Sequence, residues 1–270
     1  MLQLILITNS PEIALKAQAS GVDIVMVDLE IIGKQDRQGG LNTIISNHSI
    51  ESIAPIRAVL DKSKLMVRIN PLHNRSSQEI NEVIENGADL IMVPMFKSKN
   101  ELQTICNFID GRCGVVPLLE TTQALLRIDD ILEIQNFEFI HLGLNDLKIS
   151  LGVSFLFEVV SGGLIEYSSL KILNKKMKFG FGGVARMDSG ELPGRLVISE
   201  HVRLGSNAVI LSRAFHNNSK TIEELNENVN LEYEIQRLRE YENTYLSDRS
   251  TLNINKIEFK SIVDRIVSNK

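Results

Sequence analysis

Short apolar runs alternate with amphipathic segments along the chain as far as Phe215. Eight of the runs have the length of buried strands, and the segments between them repeat apolar residues every three or four positions. Near-continuous apolar strands that alternate with helices are typical of a parallel sheet covered by helices. Eight repeats predict a (β/α)8 barrel over residues 1–216. The runs are Leu2–Thr8, Asp23–Glu30, Leu65–Asn70, Asp89–Pro94, Gly114–Glu120, Phe137–Leu144, Phe179–Gly183 and Ala208–Arg213.

The amphipathic segments carry residues that begin and end helices. Several open with Ser or Thr, and Gly21, Gly87 and Gly205 follow the ends of three of them, as helix caps do. The pattern therefore predicts helices at Pro11–Ser20, Ile50–Leu60, Gln78–Asn86, Asn100–Ile109, Gln123–Ile134 and Leu192–Leu204.

The composition changes after Phe215. Of the 51 residues from 220 to 270, 18 are charged, whereas 23% of the whole chain is charged. An apolar stripe at helical spacing runs through this part, and it predicts a helical extension over residues 217–270. The helix either packs on its own barrel or crosses to a second subunit, and we expect a homo-oligomer in which residues 220–265 cross. The stripe is Leu231, Ile235, Leu238, Tyr241 and Tyr245.

The charge of the chain excludes some classes of partner. Lys and Arg number 29 against 34 Asp and Glu, and the net charge of −5 predicts no nucleic-acid partner and no membrane-surface partner. The first apolar run is too short to cross a membrane and lacks a basic flank. Cys106 and Cys113 lack a CxxC spacing and are too few for a disulfide framework, so we expect a cytoplasmic protein with two unreactive thiols.

Polar residues gather where the predicted strands end. Barrel enzymes place their chemistry on the loops that follow the carboxyl ends of the strands, so these residues are the candidates for an active site. They include the acids Asp28, Glu30, Glu120 and Asp146 and the cation Arg68. The substrate-binding residues predicted at the same rim, together with Arg68, are Asn70, Pro94, Gly143, Asn145, Gly182 and Arg213.

Glu120 and Asp146 follow adjacent apolar strands, which would bring their carboxylates side by side. Two converging carboxylates repel each other, and a hard divalent cation such as Mg²⁺ or Mn²⁺ is the usual partner that removes this repulsion. Such an ion keeps open positions for substrate oxygens, so two protein ligands can suffice. The alternative is two surface carboxylates at helix starts, since Glu120 precedes Thr121.

Arg68 lies within the apolar run Leu65–Asn70, where a charge is costly unless an anion accompanies it. One interpretation is a bidentate clamp on a substrate carboxylate. The other is a buried ion pair with Asp28 or Glu30, and both can hold in a protein without substrate.

These residues fall in motifs that resemble the HpcH/HpaI aldolase and citrate lyase β-subunit superfamily, a (β/α)8 barrel family acting on 2-oxo acids or acyl-CoA thioesters. Residues 22–213 carry the resemblance. Each motif is weak alone, but their order along the chain is specific. The motifs are Val27-Asp28-Leu29-Glu30, Val67-Arg68-Ile69-Asn70, Gly87-Ala88-Asp89-Leu90-Ile91-Met92-Val93-Pro94, Leu118-Leu119-Glu120-Thr121 and Gly143-Leu144-Asn145-Asp146-Leu147.

The resemblance implies a metal-dependent site. In that family the matching arginine binds the substrate carboxylate, and the glutamate and aspartate hold Mg²⁺ or another divalent ion, which assigns these roles to Arg68, Glu120 and Asp146. It further implies that the metal stabilises an enolate while a carbon–carbon bond is made or broken.

One departure affects the proton-transfer step. The aldolase branch of the family has a histidine directly after the acid that matches Glu30, whereas this chain has Ile31. His48, in the following loop, is a candidate base, although a lone loop histidine such as His48 or His73 is also commonly solvated. The predicted catalytic residues are Arg68, Glu30, Asp28 and His48.

Two further features suit anions. The segment Ile31–Ser49 is long enough for a lid, and Lys34 and Arg37 in it could meet a phosphate or CoA, or it is an ordinary surface loop. The glycines of Gly180–Gly183 could offer backbone N–H groups to an anion or serve close packing. His201 lies late in the last predicted helix, away from the rim, and we expect a structural role for it.

The leading hypothesis is a metal-dependent carbon–carbon lyase or aldolase that acts on a small 2-oxo acid or related carboxylate, with or without a phosphate or CoA group. One alternative is an acyl-CoA thioester lyase of the citrate lyase β type. The other is a catalytically silent barrel that binds a metabolite and acts through a partner, a hypothesis motivated by Ile31.

Overall fold

The computed structural model describes residues 1–33 and 48–269. Within them, eight parallel strands pair in chain order and close into a barrel, with the last strand paired to the first. The predicted (β/α)8 barrel is confirmed, and each predicted strand overlaps an observed one. The strands are β1 (Gln3–Ile7), β2 (Ile24–Asp28), β3 (Lys64–Arg68), β4 (Leu90–Val93), β5 (Gly114–Leu119), β6 (Ile140–Leu142), β7 (Phe179–Val184) and β8 (Ala208–Leu211).

Helices cover the outside of the barrel. The predicted helix Gln123–Ile134 is divided into two short helices because Arg127 leaves the helical region of φ and ψ. The helices in the described residues are α1 (Pro11–Ala19), α2 (Ile53–Val59), α3 (Ser76–Glu85), α4 (Lys99–Ile109), α5 (Thr122–Leu126), α6 (Ile128–Ile131), α7 (Leu144–Leu151), α8 (Glu158–Ser161), α9 (Leu164–Asn174), α10 (Gly194–Leu204), α11 (Ile222–Asn228), α12 (Leu231–Ser247) and α13 (Leu252–Ser268), with single 3₁₀ turns before α2 and α13 at Ile50–Ser52 and Arg249–Thr251.

Each strand is apolar on both faces because it contributes to two cores. Outward-facing side chains pack against the helices, and inward-facing ones fill the barrel. A packed interior leaves the loops at the carboxyl rim as the place for a site. The buried side chains of the interior are Ile5, Ile24, Met26, Met66, Leu90, Met92, Val116, Leu118, Phe139 and Ala208.

The carboxyl-terminal extension packs on the barrel of its own chain. Helices α12 and α13 both lie against α10. The predicted stripe on α12 faces this contact, since Leu231, Ile235, Leu238 and Tyr245 are buried and Tyr241 is partly buried. Of the two alternatives for this segment, the structure shows packing within the chain. Assembly through residues 220–265 stays a prediction.

An ion-pair network ties α12 to the amino-terminal end of the barrel. Arg239 donates to Glu242 at 2.8 Å and to Asp23 at 2.9 Å, and it also donates to the carbonyl of Leu2. The backbone N–H of Leu2 donates to Glu242, and that of Leu4 donates to Asp23 at 2.8 Å. Each buried charge in this network therefore has an opposite charge beside it.

No helix in residues 1–33 or 48–269 is both long enough and apolar enough to cross a membrane. Cys106 and Cys113 are not paired in a disulfide. Burial raises the pKa of each thiol to about 11, which keeps both protonated and unreactive at neutral pH.

Candidate active site

The barrel brings the predicted acids and Arg68 to one rim. Asp28 and Arg68 end β2 and β3 and are register partners. Glu120 follows β5 directly, and Asp146 lies in the first turn of α7, just after β6. The carboxyl ends of neighbouring strands thus place these side chains around the mouth of the barrel.

Arg68 forms a bidentate ion pair across the two strands. Its Nε and Nη2 donate to the two carboxylate oxygens of Asp28 at 2.8 and 2.7 Å, and Nη1 lies 3.4 Å from Glu30. Burial opposes the charge of Arg68, but Asp28, Glu30 and Glu120 outweigh it and raise the pKa of the guanidinium. The side chain keeps 16% of its surface exposed, so the cation is fixed in orientation and still reaches the mouth.

Glu120 is the least compensated charge at the rim. Its side chain is buried, and its one hydrogen bond within the described residues comes from the backbone N–H of Met95 at 3.1 Å. Burial raises the pKa of the Glu120 carboxyl well above its usual range, Asp146 and Glu30 raise it further, and Arg68 lowers it. Burial and the neighbouring acids therefore disfavour the negative charge of Glu120, and a cation beside it would offset this cost.

A pocket of about 250 Å³ opens onto Glu120 and Asp146. Met95 shapes its wall with a left-handed backbone at φ 54°, which turns its N–H toward Glu120. The pocket is lined by Met95, Lys97, Glu120, Thr121, Gln123, Asp146, Ile149 and Ser150.

Gly143 is required beside Glu120. A Cβ at this position would lie 2.7 Å from both Cβ and Oε2 of Glu120. No side chain fits in that space without displacing the carboxylate. Gly143 thus allows close approach of the backbone to Glu120, and its predicted role in substrate binding stays a prediction.

Acids and arginines meet at this rim. Glu120 interacts electrostatically with Asp146, Glu30 and Arg68, and Arg68 interacts with Asp28 and Glu30. Burial lowers the pKa of Arg213, with Asp28 opposing and Arg68 adding to the effect, which places Arg213 among these groups.

A divalent cation has the charge to offset the two neighbouring carboxylates of Glu120 and Asp146. Glu120 and Asp146 line one pocket and offer the oxygen ligands that Mg²⁺ and Mn²⁺ prefer. Within residues 1–33 and 48–269, no three His, Cys, Asp or Glu side chains converge as a larger ligand set. The donor set of two carboxylates fits an ion that completes its shell with water and substrate oxygens.

Asn70 uses both ends of its amide within the protein. Its Oδ1 accepts hydrogen bonds from the backbone N–H groups of Ile31 and Ile32 at 2.9 and 3.0 Å, and Nδ2 donates to Glu79 at 2.8 Å. Glu79 in turn holds Nε2 of His73 at 2.9 Å. Asn70 and His73 thus fix the chain that follows Glu30.

His48 returns to the end of β2. Its Nδ1 accepts the backbone N–H of Asp28 at 3.0 Å, so the neutral ring carries its proton on Nε2. The rest of the predicted lid, with Lys34, Asp36 and Arg37, falls on residues 34–47, outside the described part of the chain.

The remaining predicted rim residues occupy the expected strand ends. Pro94 is buried directly after β4, and Asn145 is half-buried beside Asp146. Gly182 has φ 50° within an irregular part of β7, and its carbonyl accepts a hydrogen bond from Nε2 of His141 at 3.1 Å.

His201 is part of the outer packing. Its ring stacks on Phe181 with centroids 3.8 Å apart, and Nδ1 contacts the hydroxyl of Ser206 at 2.8 Å. The structure thus places His201 where the sequence analysis expects it, away from the mouth.

Three polar residues were missed by the sequence analysis. His141 lies inside the barrel, Arg186 lies two residues past β7, and Ser212 follows β8 directly. The rule that selected Arg213, a polar residue at the end of a predicted strand, could have been extended to Ser212 beside it and to Arg186 shortly after β7. His141 gave no such signal because it sits in the middle of an apolar run.

Comparison with known families now identifies the chain. A family model described as HpcH/HpaI aldolase/citrate lyase matches residues 2–156, more than half of the sequence. The chain belongs to the HpcH/HpaI aldolase/citrate lyase family. The match confirms the resemblance and indicates a lyase or aldolase that acts on carbon–carbon bonds. It includes Asp28, Arg68, Glu120 and Asp146 but ends before β7.

A solved structure shows the same fold. The chain is similar to the crystal structure of an HpcH/HpaI aldolase from Desulfitobacterium hafniense DCB-2, with a TM-score of 0.64 and 14% sequence identity. The likeness covers 84% of this chain and 93% of that one. A search of curated proteins finds no match to this HpcH/HpaI family member.

Proposed function

We propose that this HpcH/HpaI family member is a divalent-metal-dependent carbon–carbon lyase or aldolase acting on a 2-oxo acid. The observation that carries the proposal is the pair of carboxylates of Glu120 and Asp146, which line one pocket and interact with each other, with Glu120 buried. Arg68, fixed at the same rim, supplies the cation for a substrate carboxylate.

Glu120 and Asp146 are the residues that would hold Mg²⁺ or Mn²⁺. The ion, when bound, supplies a Lewis acid that stabilises the negative charge of an enolate. Glu120 would bind such an ion as a carboxylate, and because its pKa is raised, the ion would compete with a proton for that site.

Arg68 orients the substrate. Asp28 holds the Nε and Nη2 edge of the guanidinium, and Glu30 lies 3.4 Å from Nη1, so the guanidinium plane is held in one orientation at the rim. The fixed plane limits the geometries that a substrate carboxylate bound to Arg68 can adopt.

His48 takes the place of the family histidine in the proposed site. Ile31 cannot form a hydrogen bond through its side chain, whereas His48 lies at the end of β2 with a hydrogen on Nε2. In the proposed reaction the Nε2–H of His48 donates a hydrogen bond to the oxygen of the acceptor carbonyl, and solvent supplies the proton that completes the hydroxyl group.

Calorimetry with a substrate mimic tests the proposal. Mn²⁺ and oxalate, a planar mimic of the enolate, are titrated into the metal-free protein. We expect cooperative binding in the wild type, loss of Mn²⁺ binding in Glu120→Gln, and retained Mn²⁺ binding but lost oxalate binding in Arg68→Ala. Glu85→Gln, an exposed acid on α3, is the matched control and should bind both. Unchanged Mn²⁺ affinity in Glu120→Gln would refute the proposal.

A silent metabolite-binding barrel is the second candidate function, favoured by Ile31 at the family histidine position. Release of pyruvate from a 4-hydroxy-2-oxo acid decides between the two functions. Turnover that depends on Glu120 supports the lyase. Tight oxalate binding with no turnover on free acids or on acyl-CoA thioesters supports the silent barrel.

A further inference from the structure

The ends of β7 and β8 carry polar groups that the proposed metal site does not use. The backbone N–H of Ser212 donates to the carbonyl of Val184 at 2.9 Å, which joins the two strand ends at the rim. Arg186 lies two residues past Val184, and Arg213 lies next to Ser212. Three polar residues therefore follow the ends of two paired strands.

Ser212 faces the mouth of the barrel. Ala208 and Ile210 line the interior, and Ser212 continues their alternation by one step. Its Cβ lies 3.6 Å from the position that a Cβ of Gly183 would occupy. The Ser212 hydroxyl is buried and has no hydrogen-bond partner within residues 1–33 and 48–269.

Arg186 also has a buried polar atom that lacks a hydrogen-bond partner among the described residues. Its Nε is buried and, in the part of the chain that the structure describes, makes no hydrogen bond. A buried guanidinium N–H without an acceptor is costly, and such atoms are nearly always paired in proteins. Arg186 can only donate and Ser212 can donate its hydroxyl proton, so one acceptor-rich group satisfies both.

The distribution of charge around the mouth indicates the same kind of ligand. The carboxylates that suit a cation follow β5 and β6, whereas arginines follow or end β3, β7 and β8. Arg213 interacts electrostatically with Arg68 and Asp28, so it belongs to the mouth. Because β7 and β8 come next after β5 and β6 around the barrel, a substrate bound at the proposed cation site has Arg186 and Arg213 at the neighbouring strand ends.

We propose that Arg186, Ser212 and Arg213 form an oxyanion subsite for a phosphate ester on the substrate. The loops after strands seven and eight frequently hold phosphate in barrels of this kind. Arg186 and Ser212 donate to the phosphate oxygens, and Arg213 contributes its charge. The assignment of this group to the substrate of a lyase rests on the proposed function, whereas the subsite itself does not.

Inorganic phosphate is the probe. The full-length protein is titrated calorimetrically with phosphate, once with Mg²⁺ and once with a chelator, in the wild type and in Arg186→Gln and Ser212→Ala. We expect saturable binding in the wild type under both conditions and at least about tenfold weaker binding in Arg186→Gln. Arg195→Gln, an arginine of α10 paired with Glu258, is the control and should bind as the wild type does.

Absence of saturable phosphate binding in the wild type, or equal affinity in Arg186→Gln, would overturn the proposal. Should Arg186→Gln fail to fold, Ser212→Ala decides in the same way, with weakened binding expected. Titration of oxalate and Mn²⁺ into the same samples separates the two proposals. If the wild type binds phosphate but not oxalate, the result refutes the proposed lyase function and still supports the phosphate subsite.

Discussion

A buried acid lies near each end of the barrel, and these two acids differ in their partners. At the amino-terminal end, Glu242 shares the cation Arg239 with the partly exposed Asp23, and both acids accept a backbone N–H group. At the carboxyl rim, Glu120 is equally buried but faces Asp146 and accepts a single N–H from Met95. The first arrangement neutralises its charge within the chain, and the second leaves it for a ligand.

This difference separates stability from function. Buried charges that are paired hold elements together, and breaking such a pair is strongly destabilising. A buried charge without a partner costs stability and raises its own pKa, unless an external cation binds. The amino-terminal network therefore holds α12 against β1. At the rim, a bound cation would remove the cost of burying the Glu120 carboxylate, and this gain would contribute to binding.

The largest expected effect comes from the amino-terminal network. Arg239→Ala leaves Glu242 buried without its cation, and we expect a loss of about 3–5 kcal/mol in the free energy of unfolding. Denaturant unfolding measures it. Arg237→Ala is the matched control, because Arg237 lies on the same helix and pairs with the exposed Asp188, so its loss should stay within about 1 kcal/mol. Equal losses of unfolding free energy in Arg239→Ala and Arg237→Ala would contradict the claim that the buried pair matters more than the exposed one.

A smaller effect is expected from His141, which lies in the barrel interior between the two ends. Burial and, to a lesser degree, Arg68 lower its pKa to about 4, against the hydrogen bond to Gly182. Because the pKa of a histidine in the unfolded chain is near 6.5, His141 binds a proton between pH 6.5 and pH 4 in the unfolded chain but not in the folded one. Stability is complete above pH 6.5 and falls as the pH drops from 6.5 to 4, on the order of 3 kcal/mol for this group.

Unfolding free energies between pH 7 and pH 4.5 check this expectation. His201, whose pKa burial also lowers, adds to the same slope, whereas the raised pKa of Glu120 opposes it. The pH dependence should flatten in His141→Gln. If the free energy of unfolding depends on pH equally in the wild type and in His141→Gln, folding does not lower the pKa of His141.

The fold could be predicted from the sequence because each strand has a recognisable sequence pattern. A strand buried on both faces must be a continuous apolar run, and β1 to β8 are such runs. The region between β6 and β7 was harder. It holds α7, α8 and α9, and the short helix α8 has no periodicity that four residues could display.

The site could be predicted only as far as position along a strand determines it. Asp28, Arg68, Glu120 and Asp146 were found because each follows or ends a strand. Partners were beyond reach, since they depend on side-chain direction in three dimensions. The amide of Asn70, for example, holds Ile31 and Ile32, which a rim position alone does not reveal.

The most direct test of the central claim compares the stability of the wild type and Glu120→Gln, with and without Mg²⁺. Without metal, we expect the variant to be as stable as the wild type or up to about 1 kcal/mol more stable, because a buried like-charge contact is removed. With Mg²⁺ at about 100 times its dissociation constant, the wild type should gain about 2.7 kcal/mol and the variant nothing. A metal-free Glu120→Gln that is strongly destabilised, yet keeps the full gain from Mg²⁺, would contradict the account.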